Sequence, residues 1–75
     1  MSGVRTGMPE RLANRLKERR SELGLTQAEL AERVGVTRKT VNTVENGVFT
    51  PSATLAIKLA HALDLSVEQT FWIEP

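Results

Sequence analysis

Polar and cationic side chains are concentrated at the start of one short predicted helix, directly after Thr37. Arg38 and Lys39 take its first two positions, and Asn42 and Thr43 follow one turn later. Arginine and lysine can donate hydrogen bonds to guanine O6 and N7, and threonine can contact a thymine methyl group. Because cations at a helix N-terminus oppose the helix dipole, their placement favours contact with base edges over simple solvation. For Asn42, a base contact, a phosphate contact and a solvated surface position remain open.

A second group of side chains suits contact with phosphate oxygens. Gln27 lies in the first turn of the preceding predicted helix, where main-chain N–H groups and the positive end of the dipole attract anions. Ordinary helix-start chemistry is the alternative explanation for Gln27. The hydroxyl groups of Thr37 and Thr40 also suit a phosphate, although capping alone explains Thr37. The sequence therefore predicts backbone contacts beside the base contacts.

Residue types for catalysis and metal binding are sparse in this chain. Cysteine is absent, which excludes disulfides, thiolate metal sites and thiol catalysis. The single histidine, His61, has no clustered carboxylates, and the sequence has no acid/base constellation or glycine-rich phosphate loop. We therefore expect no enzymatic activity, no metal and no cofactor.

Length and composition indicate one small folded domain. The chain has 75 residues, of which 40% are hydrophobic and 25% charged, so it can build one modest core. No apolar run approaches the roughly 18 residues of a membrane-spanning helix, and residues 1–8 lack the apolar stretch of a secretory signal. We expect no membrane contact and a cytoplasmic location.

The charge is distributed unevenly along the chain. Net charge is only +1, but the segment up to Val48 holds nine Lys/Arg against six Asp/Glu. The remainder, from Phe49 onward, holds one against three. A phosphate-facing surface and an ordinary solvated surface explain this asymmetry about equally well.

Two short helices joined by a tight turn are predicted between Thr26 and Glu45. Thr26 and Glu29 form a capping-box pattern that begins the first of them, and Gly35 suits a left-handed residue at its end. After a single apolar residue, Thr37 is placed to cap the second helix. This arrangement is typical of a helix-turn-helix.

Three further helices complete a predicted all-α, five-helix fold, in which the helix-turn-helix is formed by helices two and three. Residues 9–75 are expected to form one domain with a C-terminal dimerisation tail. The other predicted elements are a flexible arm at residues 1–8, a first helix at Pro9–Leu23, a fourth helix from Thr50-Pro51 to about Asp64, a fifth helix begun by Ser66 with Gln69, and a β-favouring tail at Phe71–Ile73.

The stretch from Asn14 to Phe71 resembles the phage repressor and Cro-type helix-turn-helix regulators, the XRE family. The resemblance lies in the residues Gly24-Leu25-Thr26-Gln27-Ala28-Glu29-Leu30-Ala31, Val34-Gly35-Val36-Thr37, Val41, Val44-Glu45-Asn46-Gly47 and Pro51-Ser52. It implies a five-helix, lambda-repressor-like domain that binds double-stranded operator DNA as a homodimer, with the second motif helix in the major groove. It also implies that Gln27 contacts DNA.

The resemblance also implies a structural pair, and Val48 is among the positions where this chain departs from the family. Arg20 and Glu45 each lie one turn beyond an apolar residue, and the resemblance implies that they join helix one to helix three as an ion pair. Family members often have lysine or arginine after the Asn-Gly, where this chain has Val48. We therefore expect affinity for DNA to depend strongly on dimerisation.

The apolar tail supports two hypotheses of function. Phe71, Trp72 and Ile73 favour a dimer interface, although Phe71 closing the core with Trp72 half-exposed is the alternative. A two-fold dimer would place its recognition helices about 34 Å apart and predicts a palindromic operator, as expected of a repressor. The second hypothesis is an antitoxin-like module whose tail neutralises a partner protein, a toxin or another effector.

Overall fold

A computed structural model of the chain describes residues 10–75, so the predicted arm at residues 1–8 lies outside the described part. Five short helices follow a first strand and precede a second one. In chain order the elements are β1 (Arg11–Asn14), α1 (Leu16–Glu22), α2 (Gln27–Val34), α3 (Arg38–Glu45), α4 (Ala53–Ala62), α5 (Val67–Thr70) and β2 (Phe71–Glu74). The predicted five-helix fold is confirmed, and the structure adds a two-stranded antiparallel sheet.

The capping box predicted at the start of α2 is present. The Glu29 N–H donates to Thr26 Oγ1 at 3.0 Å, and the Thr26 N–H donates to Glu29 Oε1 at 2.8 Å. These bonds satisfy two donors that have no partner within the helix. At the other end Gly35 has φ +77°, a left-handed conformation that glycine adopts without steric cost. Both ends of α2 are therefore fixed by local sequence.

The second motif helix begins and ends as expected. Thr37 caps α3 by accepting a hydrogen bond from the Thr40 N–H at 3.2 Å. After Asn46, the chain turns through Gly47 at φ +74°. The N–H groups of Val48 and Phe49 then both donate to the carbonyl oxygen of Thr43, at 2.9 and 3.2 Å. These bonds hold the start of the following loop against the helix.

The predicted first helix, Pro9–Leu23, is wrong in its N-terminal half. Residues Arg11–Asn14 form β1, and α1 begins only at Leu16. The Leu16 N–H donates to the side-chain Oδ1 of Asn14 at 3.0 Å, and the Arg15 N–H donates to the carbonyl oxygen of Thr70 at 3.0 Å. Pairing with a distant strand therefore replaces helical hydrogen bonds over this segment.

The sheet joins the two ends of the domain. In its register Leu12 is opposite Ile73, and Ala13 is opposite Trp72. Arg11 Nη2 and Glu74 Oε1 meet at 2.7 Å at the end of the ladder. Hydrogen bonds donated by the Trp72 indole and then by Arg11 hold the pKa of Glu74 below its ordinary value. The β-favouring tail of the prediction is thus a strand.

The last two helices differ in how well the sequence predicted their starts. The N-cap of α4 is Ser52, whose hydroxyl accepts from the Leu55 N–H at 3.1 Å, so the predicted start at Thr50-Pro51 is two residues too early. The predicted capping box of α5 is present, with Ser66 and Gln69 bonded in both directions. Serine is the stronger of the two hydroxyl caps, so the cap at Ser52 agrees with the ordinary preference.

One hydrophobic core lies between the helices and the inner face of the sheet. Leu16, Leu30, Leu59 and Leu63 are completely or almost completely buried. The other buried members of this cluster are Ala31, Val34, Val41, Val44 and Phe71.

None of the helices within residues 10–75 has the length and apolar character needed to cross a membrane.

Candidate nucleic-acid interface

The second motif helix, α3, divides cleanly into a buried and an exposed side. Val41 and Val44 are at most 2% exposed and anchor the helix on the core. On the other side, Arg38 and Lys39 are exposed in the first turn, and Asn42 is half-buried one turn later. The helix therefore presents two cations to solvent at the end where its first N–H groups lie.

The side chain of Gln27 lies between Arg38, in the first turn of α3, and Glu45, at the end of the same helix. Its Nε2 donates to Glu45 Oε1 at 3.0 Å and to Asn42 Oδ1 at 3.3 Å. Its Oε1 accepts from Arg38 Nη1 at 3.2 Å. The structure therefore brings Gln27, Arg38 and Asn42 together, three residues that the sequence singled out separately.

The predicted ion pair between α1 and α3 is formed. Arg20 Nε and Glu45 Oε2 lie 2.7 Å apart, and Arg20 Nη2 donates to Glu45 Oε1 at 3.3 Å. Only 1% of the Glu45 side chain is exposed. A third donor, Arg20 Nη1, bonds the carbonyl oxygen of Leu25 at 2.9 Å, so the buried charges are well satisfied.

The threonine hydroxyls of this surface are engaged with one another and with the main chain. Thr37 Oγ1 and Thr40 Oγ1 are 3.1 Å apart beside the cap of α3. Thr43 Oγ1 donates to the carbonyl oxygen of Thr40 at 2.9 Å. Because its hydroxyl proton is used internally, Thr43 offers an outside partner its methyl group and oxygen lone pairs.

Asn42 is held from two sides. Its Oδ1 accepts from Gln27 Nε2 at 3.3 Å and from Asn46 Nδ2 at 2.8 Å. This leaves the Asn42 amide N–H groups with no partner among these contacts, so they are available as donors. The sequence left three roles open for Asn42. Two of them, contact with a base and contact with a phosphate, use such donors.

Two features near this surface were not predicted. Asn14 Nδ2 donates to the carbonyl oxygen of Val44 at 3.0 Å and so ties the end of β1 to α3. Nothing in the local sequence indicates a partner 30 residues away. Val48 and Phe49, which follow α3, are 77% and 48% exposed.

The three tail residues have different environments. Phe71 is buried in the core of its own chain with 7% exposure. Trp72 and Ile73 remain on the surface, 38% and 58% exposed. Of the predicted interface, Trp72 and Ile73 are therefore the residues accessible to a second molecule.

His61 is a surface residue. The His61 side chain is exposed on α4 and lines a shallow groove with Arg33 and Lys58. Within residues 10–75, no group of three or more histidine, aspartate or glutamate side chains has the spacing needed to hold a metal ion.

Two short, capped helices joined by a tight turn, the second with an exposed start, have the arrangement of a helix-turn-helix. The chain matches the Helix-turn-helix family over residues 16–69, which include α1 to α4 and most of α5. Its fold, five helices around one core, is that of the lambda-repressor-like domains.

Individual relatives agree with this match. The chain is 43% identical over 63 residues to the uncharacterized HTH-type transcriptional regulator YgzD of Bacillus subtilis, covering 84% of this chain and 96% of the relative. It is 34% identical over 67 residues to antitoxin HipB of Escherichia coli, covering 89% and 76%. The P22 c2 repressor protein, solved in complex with a synthetic operator, superposes with a TM-score of 0.69 at 28% identity, covering 71% and 80%.

The chain belongs to the XRE-type helix-turn-helix family of DNA-binding transcriptional regulators. This is a family of regulators and not one of enzymes.

Proposed function

We propose that this protein is a dimeric transcriptional repressor that binds a palindromic operator through the major groove. The observation that carries the proposal is the exposed first turn of α3, where Arg38 and Lys39 stand on a helix anchored by its opposite face. Such a helix start is where the motif contacts base edges. A repressor of this kind acts where the DNA is, which agrees with the cytoplasmic location expected from the sequence.

Base reading is assigned to four residues of α3. Arg38 and Lys39 donate to guanine O6 and N7, Thr43 contacts a thymine methyl group, and Asn42 donates through its free amide N–H groups. The internal bond of the Thr43 hydroxyl supports the methyl contact, because it leaves no hydroxyl proton to donate. Each good bidentate contact discriminates against the wrong base by about 1–3 kcal/mol.

Backbone contacts are assigned to Gln27, Thr37 and Thr40. Gln27 occupies the first turn of α2, whose first N–H groups have no helical partner. Thr37 and Thr40 lie together at the start of α3 with their hydroxyl groups 3.1 Å apart. These contacts position the helix in the groove without reading sequence.

Dimerisation is assigned to the exposed part of the tail, Trp72 and Ile73. A symmetric pair would hold two α3 helices one DNA turn apart, about 34 Å, which requires an operator with two inverted half-sites. Val48 adds no charge to the phosphate contacts. The second half-site is therefore needed for strong binding.

Selection of bound sites from random DNA duplexes tests this function directly. We expect one inverted repeat, preferred over bulk DNA by about a thousandfold or more, with an affinity that falls steeply as salt rises. Binding without sequence preference, or an affinity independent of salt, would refute the proposal. A single unrepeated site would refute the symmetric dimer.

A matched pair of double variants locates the reading surface. Arg38→Ala with Lys39→Ala removes two exposed cations from α3 and should abolish discrimination while the helical circular dichroism is unchanged. Arg33→Ala with Lys58→Ala removes two exposed cations from the groove between α2 and α4. This control should retain discrimination, because those side chains lie on another face. Equal losses in both variants would show a general charge effect.

A second candidate function is neutralisation of a partner protein through the tail, as in an antitoxin. The observation that favours it is the exposure of Trp72 and Ile73, together with the likeness to a relative named as an antitoxin. Affinity capture from the native host, with wild type and with Trp72→Ser/Ile73→Ser as bait, tests it. Capture of one protein by wild type alone would support this function, and recovery of only the chain itself would refute it.

A further inference from the structure

We propose that Glu45 is a positioning residue for base reading, because it fixes the side-chain amide of Gln27 in the orientation that holds Arg38. The inference rests on the proposed role of Arg38 at a base edge. It gives the buried pair of Arg20 and Glu45 a second task besides stability.

The first step is the polarity of Glu45. Its carboxylate is almost fully buried and is bonded to Arg20 through both oxygens. A carboxylate whose two oxygens face a guanidinium acts toward its neighbours as a hydrogen-bond acceptor. Whatever part of Gln27 approaches Oε1 of Glu45 must therefore be a donor.

The second step is the orientation of the Gln27 amide. Its Nε2 lies 3.0 Å from Glu45 Oε1, and its Oε1 lies 3.2 Å from Arg38 Nη1. Rotating the amide by half a turn would place its oxygen against the carboxylate and its NH₂ group against the guanidinium, which has no acceptor. Both neighbours exclude that arrangement, so the chemistry of the groups themselves assigns the amide.

The third step is the effect on Arg38. An exposed arginine samples many rotamers, and ordering it at an interface opposes binding. The bond to Gln27 Oε1 uses one of its five N–H groups and leaves the others for a guanine edge. Glu45 thus preorganises Arg38 from a distance, with Gln27 as the only residue in between.

The same geometry limits what Gln27 can do toward a phosphate. Its two amide N–H groups are directed to Glu45 and Asn42. Its side chain has no further donor to offer while it holds Arg38. A phosphate contact by Gln27 is therefore made by its main-chain N–H at the start of α2.

A double-mutant cycle between Gln27→Met and Arg38→Ala tests the middle of this relay. The measured quantity is the ratio of affinities for the selected operator and for operators altered at single base pairs. Arg38→Ala should lower this ratio at one base pair by about tenfold or more, and Gln27→Met by roughly three- to tenfold at the same base pair. In the Arg38→Ala background, Gln27→Met should have no further effect on that ratio.

A buried-pair replacement tests Glu45 itself. Arg20→Met with Glu45→Met removes the carboxylate together with its partner charge, a change that folded domains often tolerate. Discrimination should fall at the base pair affected by Gln27→Met and at no other. The control is Arg19→Met with Glu22→Met, which removes another ion pair of α1, together with the hydrogen bond from the part-buried Arg19 Nε to the Leu63 carbonyl oxygen, and should leave every ratio unchanged. A role confined to stability would lower binding to all operators equally.

Nuclear magnetic resonance of the wild-type protein tests the contact without any variant. A through-hydrogen-bond coupling between Gln27 Nε2 and the Glu45 carboxyl carbon is expected, and its absence would overturn the inference even if the Arg20/Glu45 replacement does not fold. If Arg38→Ala leaves discrimination intact, the proposed base reading by Arg38 fails. If Arg38→Ala acts but Gln27→Met or the Arg20/Glu45 replacement does not, base reading stands and the positioning role fails.

Discussion

Asn14 and Val44 are joined by a hydrogen bond of 3.0 Å from the Asn14 side-chain amide to the carbonyl oxygen of Val44. The Oδ1 atom of the same Asn14 amide accepts a hydrogen bond from the N–H of Leu16, the first residue of α1. One side chain therefore lies at the end of β1, accepts the N–H of the first residue of α1 and donates to the last turn of α3. The helix α3 is connected in this way to the sheet that contains the tail.

Removal of the Asn14 side chain should destabilise the domain measurably. Asn14→Ala deletes both hydrogen bonds and should lower the free energy of unfolding by about 2 kcal/mol, since each such bond contributes about 1 kcal/mol. Asn14→Asp is the second variant, because it keeps the acceptor for the Leu16 N–H but sets a carboxylate oxygen against the carbonyl oxygen of Val44. Urea denaturation should place both variants below wild type. Equal stability of Asn14→Ala and wild type would contradict this account.

Arg20 and Glu45 should behave as a coupled pair. Arg20→Met leaves the Glu45 carboxylate buried without its partner and should cost about 3–5 kcal/mol of stability. Adding Glu45→Met removes the unpaired charge and should recover most of that loss. Thermal unfolding of the two single variants and the double variant gives the coupling. Additive effects of the two substitutions would mean that the pair contributes little.

The capping box of α2 should contribute a part of the stability that depends on pH. Hydrogen bonds from the backbone N–H and side chain of Thr26 hold the pKa of Glu29 below its ordinary value of 4.5. Because the folded pKa is the lower one, the stabilisation is present above about pH 4.5 and is lost as the pH falls through the folded pKa. The difference in melting temperature between wild type and Glu29→Gln should therefore shrink between about pH 7 and about pH 3. A constant difference would contradict the pKa shift.

Helix ends that are set by neighbouring residues are predicted correctly from the sequence. The cap at Thr26, the left-handed Gly35 and the cap at Thr37 depend on atoms within a few residues, so the sequence predicts them directly. The start of α4 shows the limit of this reasoning. Thr50 and Ser52 both offer a hydroxyl cap, and the helix uses Ser52, the stronger cap residue, in place of the threonine beside proline.

Contacts between distant segments explain what the sequence did not predict. Leu12 and Leu16 are four residues apart, as in a helix, yet Leu12 reaches the same core from a strand. Its strand partner, Ile73, is contributed by the other end of the chain, which local periodicity does not reveal. The spacing of the leucines therefore predicts a first helix that begins too early in the chain.

The candidate site likewise combines features that the local sequence predicts with contacts between distant residues that it does not predict. The residue types at the start of α3 make Arg38 and Lys39 candidates from the sequence alone, because their position follows from the cap at Thr37. The bonds that connect Gln27 to Glu45 and Arg38 span 18 and 11 residues. They become visible only when α2 and α3 are placed together in three dimensions.

The exposed tail residues provide the test of the proposed dimer. Trp72→Ser with Ile73→Ser should convert the protein to a monomer in sedimentation velocity and weaken binding to the full palindrome by about a hundredfold, because two linked half-sites bind with avidity. Binding to an isolated half-site should be unchanged. Phe71 is left intact, since it belongs to the core.

Two comparisons distinguish this interface from other exposed apolar surfaces. Ile57→Ser, at a 45% exposed position on α4, is the control and should remain dimeric. Val48→Ser with Phe49→Ser alters the exposed loop after α3 and should also remain dimeric. Because Trp72 is the only tryptophan, the wild-type emission should shift to shorter wavelength with increasing protein concentration as its indole becomes buried. A monomer produced by the Val48/Phe49 variant alone would place the interface at the loop and refute the tail.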